Sequence, residues 1–360
     1  MRDGTALPSM SKRYLILLSS AAETCGVEEF ARQFARRLAG GGTWVLGGGA
    51  TRFLARLRDF DGIVLNFPIV AWKRRLVSPV LIALATRLMR KEVVVVLHEW
   101  TALDWKRRIV LAPVAALATR IVFSAPEIAD EFRQSGLSRV ATDDRDLIPI
   151  PPNLLAPPDL RPSAVSERLI AERGRGRLIL GQFGSIYPKK QSKAVLHVAE
   201  RLIARGHDVF VVFIGSFIKG HDDVEQDFFR TVQAAGLTDR VLVSGYVGDE
   251  RELFAMFEAV DVFCYVFPEG LTSRRASVLA AALFGKPVVV NAPARADALA
   301  HHALYRKLID ARALRLVPTD ADDDSFADAV WAATTLLPEP IVLTAEIDAV
   351  WRDVETAICR

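Results

Sequence analysis

Phe267-Pro-Glu-Gly-Leu-Thr-Ser-Arg-Arg-Ala-Ser-Val-Leu-Ala-Ala-Ala-Leu-Phe-Gly-Lys-Pro-Val-Val-Val290 reads as a strand end, a polar turn, a helix of small residues and a second strand. An apolar strand, Val260–Phe267, runs into the turn. The helix spans about Arg274 to Phe284, and Gly285 with a Lys-Pro step leads into the next apolar run. Thr272 and Ser273 stand where N-caps belong. That places free backbone N–H groups and the positive end of the helix dipole at the mouth of the sheet. Arg274 and Arg275 add fixed positive charge. Such a place, at the carboxyl end of a parallel strand, suits a phosphate-bearing ligand. Taken alone the turn reads as a structural cap rather than a site, since most capping hydroxyls bond only their own backbone.

A second segment repeats the logic. In Leu180-Gly-Gln-Phe-Gly-Ser-Ile-Tyr-Pro-Lys-Lys190 an apolar strand, Leu178–Phe183, meets Gly184, a tight turn and two lysines. A helix follows from about Ser192. Two phosphate-friendly loops at strand ends point to one anion site.

The 360 residues suffice for two domains with full cores, and with 51% apolar residues and balanced charge the chain is globular. The net charge of +3 hides an asymmetry. Residues 1–160 carry 22 Lys and Arg against 16 Asp and Glu; residues 161–360 carry 24 against 27. A basic first half implies an anionic partner there. Three scattered cysteines, Cys25, Cys264 and Cys359, give neither a disulfide framework nor zinc spacing. No apolar run reaches the ~18 residues of a spanning helix, and the first ten residues lack a secretory signal's apolar core, so a cytoplasmic home is expected.

Short apolar runs separated by helical patterns fill both halves. They are Tyr14–Ser19, Thr43–Leu46, Gly62–Asn66, Val93–Leu97, Arg120–Phe123 and Asp146–Ile150, then Leu178–Phe183, Val209–Ile214, Val241–Ser244, Val260–Phe267, Val288–Asn291 and Leu314–Val317. The proline-dense Ile148-Pro-Ile-Pro-Pro-Asn-Leu-Leu-Ala-Pro-Pro158 between the two series reads as a linker. The expectation is α/β, with two Rossmann-like doubly wound parallel-sheet domains facing a central cleft. Residues 1–155 would bind an acceptor and residues 156–340 a nucleotide. Residues 341–360 would form a helix packing back towards the first domain. Gly47-Gly-Gly49 lacks the dinucleotide spacing and reads as a tight turn.

At this point the chain resembles the GT-B retaining glycosyltransferases, specifically the family 4 group that uses sugar nucleotides. The resemblance rests on an ordered set of motifs. These are Cys25-Gly-Val-Glu-Glu-Phe30, Leu97-His-Glu-Trp100, Pro149-Ile-Pro-Pro-Asn153, Phe183-Gly-Ser-Ile-Tyr-Pro-Lys-Lys190, Val243-Ser-Gly-Tyr-Val247, Ala259-Val-Asp-Val-Phe263, and Glu269-Gly-Leu-Thr-Ser-Arg-Arg275 running into Gly285-Lys-Pro-Val288. It implies that Lys190 contacts the donor diphosphate and that Gly184 and Ser185 line the same pocket. Thr272 and Ser273 would hold the distal phosphate, with Glu269, Gly270, Arg274 and Arg275 around the donor. His98 would reach towards the donor sugar and act with Lys190 in catalysis; Gly26 and Glu99 would serve the acceptor side. Charge growing on the departing nucleoside diphosphate would be met by groups already in place, so no metal and no cofactor is expected. The chain departs from the family pattern at Ser185, where an Arg is usual, and at Ala280, where a second Glu is usual. Glu269 matches the first Glu only with a shift of about three residues. Arg274 or Arg275 is read as replacing the missing arginine.

His197, His207 and His221 show no metal spacing, and His301 and His302 read as solvated. Trp72-Lys-Arg-Arg75 and Trp105-Lys-Arg-Arg108 are near-copies 33 residues apart, each heading an apolar stretch. As core helices they would only carry basic ends. As heads of apolar helices they suit anionic headgroups, and a membrane surface on the inner face of the cell membrane is the expected partner. The implied activity is transfer of a hexose-type sugar from a nucleotide sugar to a glycan or lipid-linked acceptor with retention, in surface polysaccharide biosynthesis. Two rivals are a GT-B nucleotide-sugar epimerase and a non-catalytic GT-B scaffold or lipid-binding subunit. No nucleic acid is expected, because the basic residues lack interleaved stacking aromatics.

Overall fold

In a computed structural model, residues 12–19, 26–68, 77–101, 103, 105–218 and 222–360 are described. The chain forms two compact units, Met1–Asn153 with Asp348–Arg360, and Leu154–Ile347. The break falls inside the proline-dense stretch, where missing N–H donors and restricted neighbours keep residues 148–158 out of helix and sheet.

The first unit runs β1 (Tyr14–Leu18), α1 (Gly26–Arg37), β2 (Gly42–Val45), α2 (Ala50–Leu57), β3 (Gly62–Phe67), α3 (Ser78–Leu88), β4 (Glu92–Leu97), α4 (Trp105–Leu117), β5 (Arg120–Phe123), α5 (Pro126–Gln134) and β6 (Arg145–Leu147). Its sheet is parallel throughout, in the order β2-β1-β3-β4-β5-β6. Strands covered by helices on both faces need apolar residues at every position, and Val93–Leu97 are all fully buried. Each such side chain contributes about 1.5–3 kcal/mol on burial.

The second unit continues with α6 (Ala164–Gly174), β7 (Leu178–Phe183), α7 (Ser192–Ala204), β8 (Val209–Ile214), α8 (Asp222–Ala234), β9 (Val241–Val243), α9 (Glu250–Ala259), β10 (Val262–Tyr265), α10 (Ala276–Leu283), β11 (Val288–Asn291), α11 (Ala303–Asp310), β12 (Leu314–Val317) and α12 (Asp323–Thr335). Its parallel sheet has the order β12-β11-β10-β7-β8-β9. Caps mark several helix starts: Ser163 and Ser166 form a reciprocal capping box on α6, and Asp249 and Asp322 cap α9 and α12. Both halves are thus doubly wound Rossmann-like sheets, as the alternating pattern led us to expect.

β10 is shorter than the apolar run around it. Asp261 turns back to accept from the Ile179 N–H at 2.8 Å, and the Asn291 side chain takes up both backbone groups of Phe267, at 2.9 and 2.7 Å. The strand's edges are therefore held by side chains rather than by the ladder.

The last helix, α13 (Thr344–Cys359), begins in one unit and ends in the other. Its Trp351 stacks on Phe30 at 6.0 Å beneath the Arg37 guanidinium, and Arg120 donates to the Ala357 and Ile358 carbonyls. Arg360 pairs with Asp144 and Asp146 at 2.8 and 3.1 Å.

Candidate functional site

β7 and β10 are neighbours, with Leu180 opposite Val262 and Gly181 opposite Phe263. From β7 the sheet grows one way through β8 and β9; from β10 it grows the other way through β11 and β12. Strand order reverses between them, and the loops leaving such a pair diverge around a crevice. Both phosphate-friendly loops open at this point.

The first loop starts at Gly184, whose φ of +110° suits glycine. A Cβ there would fall 2.2 Å from Lys190 Nζ, so the missing side chain is the space the ammonium occupies. The Ile186 N–H donates to Ser216 O at 2.9 Å, a 3-10 turn covers Pro188–Lys190, and Gln191 in the left-handed region (φ 46°) redirects the chain into α7. Lys190 folds back inside, 6% exposed, with Nζ donating to the Phe183 carbonyl and lying 5.7 Å from the Tyr265 ring centre. Burial, aided by the positive charge of Arg275, pulls its ammonium from the usual lysine range down to about 7. Ser185 is exposed at the loop surface.

The second loop differs from its sequence reading. α10 begins at Ala276 with Arg275 as N-cap and no side-chain capping bond, so Thr272 and Ser273 are not caps. The backbone explains the shift, because the Thr272 carbonyl accepts from the Arg275 N–H at 3.2 Å and closes an extra turn before the helix. Gly270, at φ +71°, packs against the Ala292 carbonyl with no room for a Cβ. The outcome is two buried hydroxyls, Thr272 Oγ1 and Ser273 Oγ, that have no hydrogen-bond partner. A buried polar atom left unpaired costs about 1–3 kcal/mol, which points to a ligand that completes it. Arg275 lies over the Phe267 ring at 4.1 Å and pairs with Glu269, which is otherwise exposed. Arg274 is half-buried beside it.

Tyr265 ties the loops together. Its hydroxyl accepts from the Phe183 N–H at 3.2 Å and donates to the Ser277 carbonyl at 3.1 Å. The Cβ position of Gly184 is 3.8 Å from the Ser277 side chain. Lys190, Thr272, Ser273 and Arg275 therefore share one end of the sheet. Burial pushes the Tyr265 phenol up, so it stays a neutral strut. Tyr265, Gln182 and Ser192 escaped the sequence reading. Ser192 Oγ donates to Gln182 Oε1 at 2.6 Å, while Gln182 Nε2 is buried without a partner. A glutamine inside the otherwise apolar Leu178–Phe183 was the available signal.

Ala280 is buried in α10 and takes no part. His301 and His302, expected in solvent, precede α11 instead. His302 is fully buried against the Tyr305 ring at 4.9 Å, and burial pulls the His301 imidazole down to about 4. Tyr305 in turn reaches the Arg275 carbonyl at 3.3 Å and braces the turn from behind.

In the first unit, His98 follows β4, 6% exposed, with Nε2 3.1 Å from Asn66 Oδ1 at the end of β3 and its ring edge-on to Phe30 at 5.2 Å. Asn66 is fully buried and its Nδ2 has no partner. It too was missed, although an Asn ending an apolar strand was visible. Glu99 is half-buried next to His98. Gly26 opens α1, and a Cβ there would meet nothing within 4 Å. Nearby, Ser19 donates to the wholly buried Glu28 at 2.6 Å, and Arg32 pairs with Glu28.

Of the basic heads, Trp72, Lys73, Arg74 and Arg75 lie outside the described residues, as do Cys25 and His221. Trp105, Lys106, Arg107 and Arg108 open α4; Trp105 is 67% exposed with Lys106 over its ring, and Arg108 donates to the Leu103 carbonyl at 3.0 Å. Among the described residues no helix is long and apolar enough to cross a membrane, and no three His, Cys, Asp or Glu side chains group to hold a metal ion.

Residues 177–335 match the family described as glycosyl transferases group 1. Among solved structures, the Anabaena protein Alr3699/HepE in complex with UDP is similar over 96% of this chain and 95% of its own, at 16% identity and a TM-score of 0.62. WaaG, a glycosyltransferase involved in lipopolysaccharide biosynthesis, is similar over 96% and 94% (13% identity, TM-score 0.57). The lipopolysaccharide outer core galactosyltransferase WaaB is similar over 96% and 99% (10% identity, TM-score 0.58). These likenesses show the GT-B fold along nearly the whole chain. None of the curated protein sequences compared with it matches.

Proposed function

We propose that this chain, a GT-B protein whose residues 177–335 match the glycosyl transferases group 1 family, moves a sugar from a nucleoside diphosphate to a glycan or lipid-linked acceptor with retention of configuration. The single observation carrying this reading is the cluster of Lys190, Arg275 and the orphan hydroxyls of Thr272 and Ser273 at the switch point of the second sheet. Cleaving the anomeric bond leaves negative charge on the departing diphosphate. A buried lysine that has lost affinity for its own proton regains it when that anion arrives, so its charge appears where the transition state needs it. Two hydroxyls and the N-terminus of α10 add donors that need no reorganisation. Arg275 takes the place of the arginine that Ser185 lacks, released from Glu269 when a phosphate competes for it.

The acceptor hydroxyl attacks from the face the diphosphate leaves, its proton passing to a leaving phosphate oxygen. This gives retention without a protein nucleophile or a metal. His98, held by Asn66 and Phe30, is assigned to the transferred sugar; Gly26 and Glu99 are assigned to the acceptor. HepE holds UDP and UDP-glucose, and WaaG and WaaB act in lipopolysaccharide synthesis. Those neighbours favour a role in surface polysaccharide assembly.

A thermal-shift panel of UDP-, GDP-, ADP- and TDP-sugars tests the reading, because a ligand that binds only the native state raises its melting temperature. Selective stabilisation by one base, lost in Lys190→Met, is expected. No stabilisation by any of them overturns it. NMR of the product's anomeric proton, with and without EDTA, tests retention and metal independence.

A further inference from the structure

One buried side chain touches both loops of the anion site. Tyr265 ends β10 fully buried, its ring stacked between those of Phe263 and Phe267 at 6.4 and 5.9 Å. The ladder between β7 and β10 pairs Leu180 with Val262 and Gly181 with Phe263. Beyond it the Tyr265 hydroxyl takes over, accepting from the Phe183 N–H on one side and donating to the Ser277 carbonyl on the other. A phenol has a single proton to give, and here it is spent on the main chain of the second loop's helix.

The two backbone groups it holds are not ordinary ones. Phe183 is fixed at both ends, its N–H by Tyr265 and its carbonyl by Lys190 Nζ. Gly184 follows at once and leaves the space that the ammonium fills. Ser277 lies in the first turn of α10, so the same hydroxyl sets how far the N–H end of that helix stands from Phe183. Tyr305 makes an instructive contrast. Its hydroxyl lies 3.3 Å from the Arg275 carbonyl and 3.5 Å from the Thr272 carbonyl, both in the second loop, so it braces that loop without joining it to the lysine.

We infer that Tyr265 is a positioning residue for the transfer: its hydroxyl fixes the spacing between Lys190 and the N-terminus of α10, so that both stand ready before the diphosphate arrives. A site held in geometry beforehand spends no binding energy on ordering its own loops. The inference rests on the proposed function for the reaction it serves, while the tie itself is tested without substrate.

Tyr265→Phe keeps the ring and removes only the hydroxyl. The Lys190 Cε signal is titrated by NMR in the ligand-free protein. With Phe183 released, the ammonium gains water, and its titration should rise by roughly one pH unit. Tyr305→Phe should leave that titration in place. Inorganic pyrophosphate is the second probe, and calorimetry at pH 6 should show its Kd raised about tenfold by Tyr265→Phe.

An unchanged Lys190 titration in Tyr265→Phe, or a pyrophosphate Kd within twofold of normal, overturns the inference. So does an equal rise of the titration in Tyr305→Phe, which would mean general loosening. Should Tyr265→Phe fail to fold, hydrogen exchange in the unmodified protein decides. Pyrophosphate should slow the Phe183 amide and the amides of Ser277 and Val278 together, and protection of one loop alone overturns the tie. Absence of both pyrophosphate and nucleotide-sugar binding by the unmodified protein would instead sink the proposed function, and the tie would then stand or fall on the Lys190 titration.

Discussion

The carboxyl ends of the two sheets offer opposite chemistry on one architecture. In the second unit the strand ends gather Lys190, Arg275 and two hydroxyls without partners. In the first they gather an amide–imidazole pair, Asn66 and His98, wedged on Phe30. Parallel strands with helices on both faces position loops equally well in either half. What differs is whether those loops bury a lysine and an arginine, which demand an anion, or an amide and an imidazole, whose donors and acceptors suit a sugar's hydroxyls.

Five measurements break or sharpen that contrast. Lys190→Met should have the largest effect, lowering kcat/KM by roughly 10²–10³-fold, the scale of removing one preorganised donor from a developing charge. Activity within a few-fold of normal would mean that the cationic end is not the reacting end. In the first unit, His98→Gln should cut kcat by about a hundredfold while leaving nucleotide Kd unchanged, measured by calorimetry. Asn66→Leu should reproduce about tenfold of that, with partial rescue in Asn66→Asp, because it acts by orienting the imidazole. A change in nucleotide Kd instead would blur the division between the halves.

Thr272→Val and Ser273→Ala should each weaken nucleotide binding by about tenfold, or ~1.4 kcal/mol, without lowering the melting temperature of the free protein. The hydroxyls bond nothing before the ligand arrives, so a drop in stability would assign them a structural role. The smallest effect is in pH. Burial brings the Lys190 ammonium's titration down to about 7 in the free protein, whereas a bound diphosphate should raise it again. Below pH 7 the proton is already present and affinity is level. Above it, binding must take one up, so affinity should fall by at most tenfold per pH unit. In Lys190→Met the titration should be flat above pH 7.

The inner strands of the described residues were legible because parallel strands buried on both faces are written as unbroken apolar runs, Val93–Leu97 being the plainest; the edge strands β2 and β6 are only partly buried, and β6 is Arg145-Asp146-Leu147. The loops carrying Lys190 and Thr272–Arg275 were legible from their strand-turn-helix context. The cap assignment failed because one carbonyl, on Thr272, closes a turn that local propensity does not specify. The supports of the site, Tyr265, Gln182 and Asn66, were hidden because a polar residue within an apolar strand does not announce which distant backbone it will meet. The exposure of Leu81, Leu84 and Leu88 was hidden too, since α3 is too uniformly apolar for its sequence to say which side faces the sheet.

The crossing of α13 sets an order of events during synthesis. The first unit draws Asp348–Arg360 into its own body, including Trp351 on Phe30 and two carbonyls for Arg120. A ribosome extends the chain by about 5–20 residues per second, so nearly two hundred residues must emerge before this piece can arrive. The half that is made first is thus the half that is finished last. Until then the Phe30 side of α1 lacks the Trp351 ring that covers it in the finished protein.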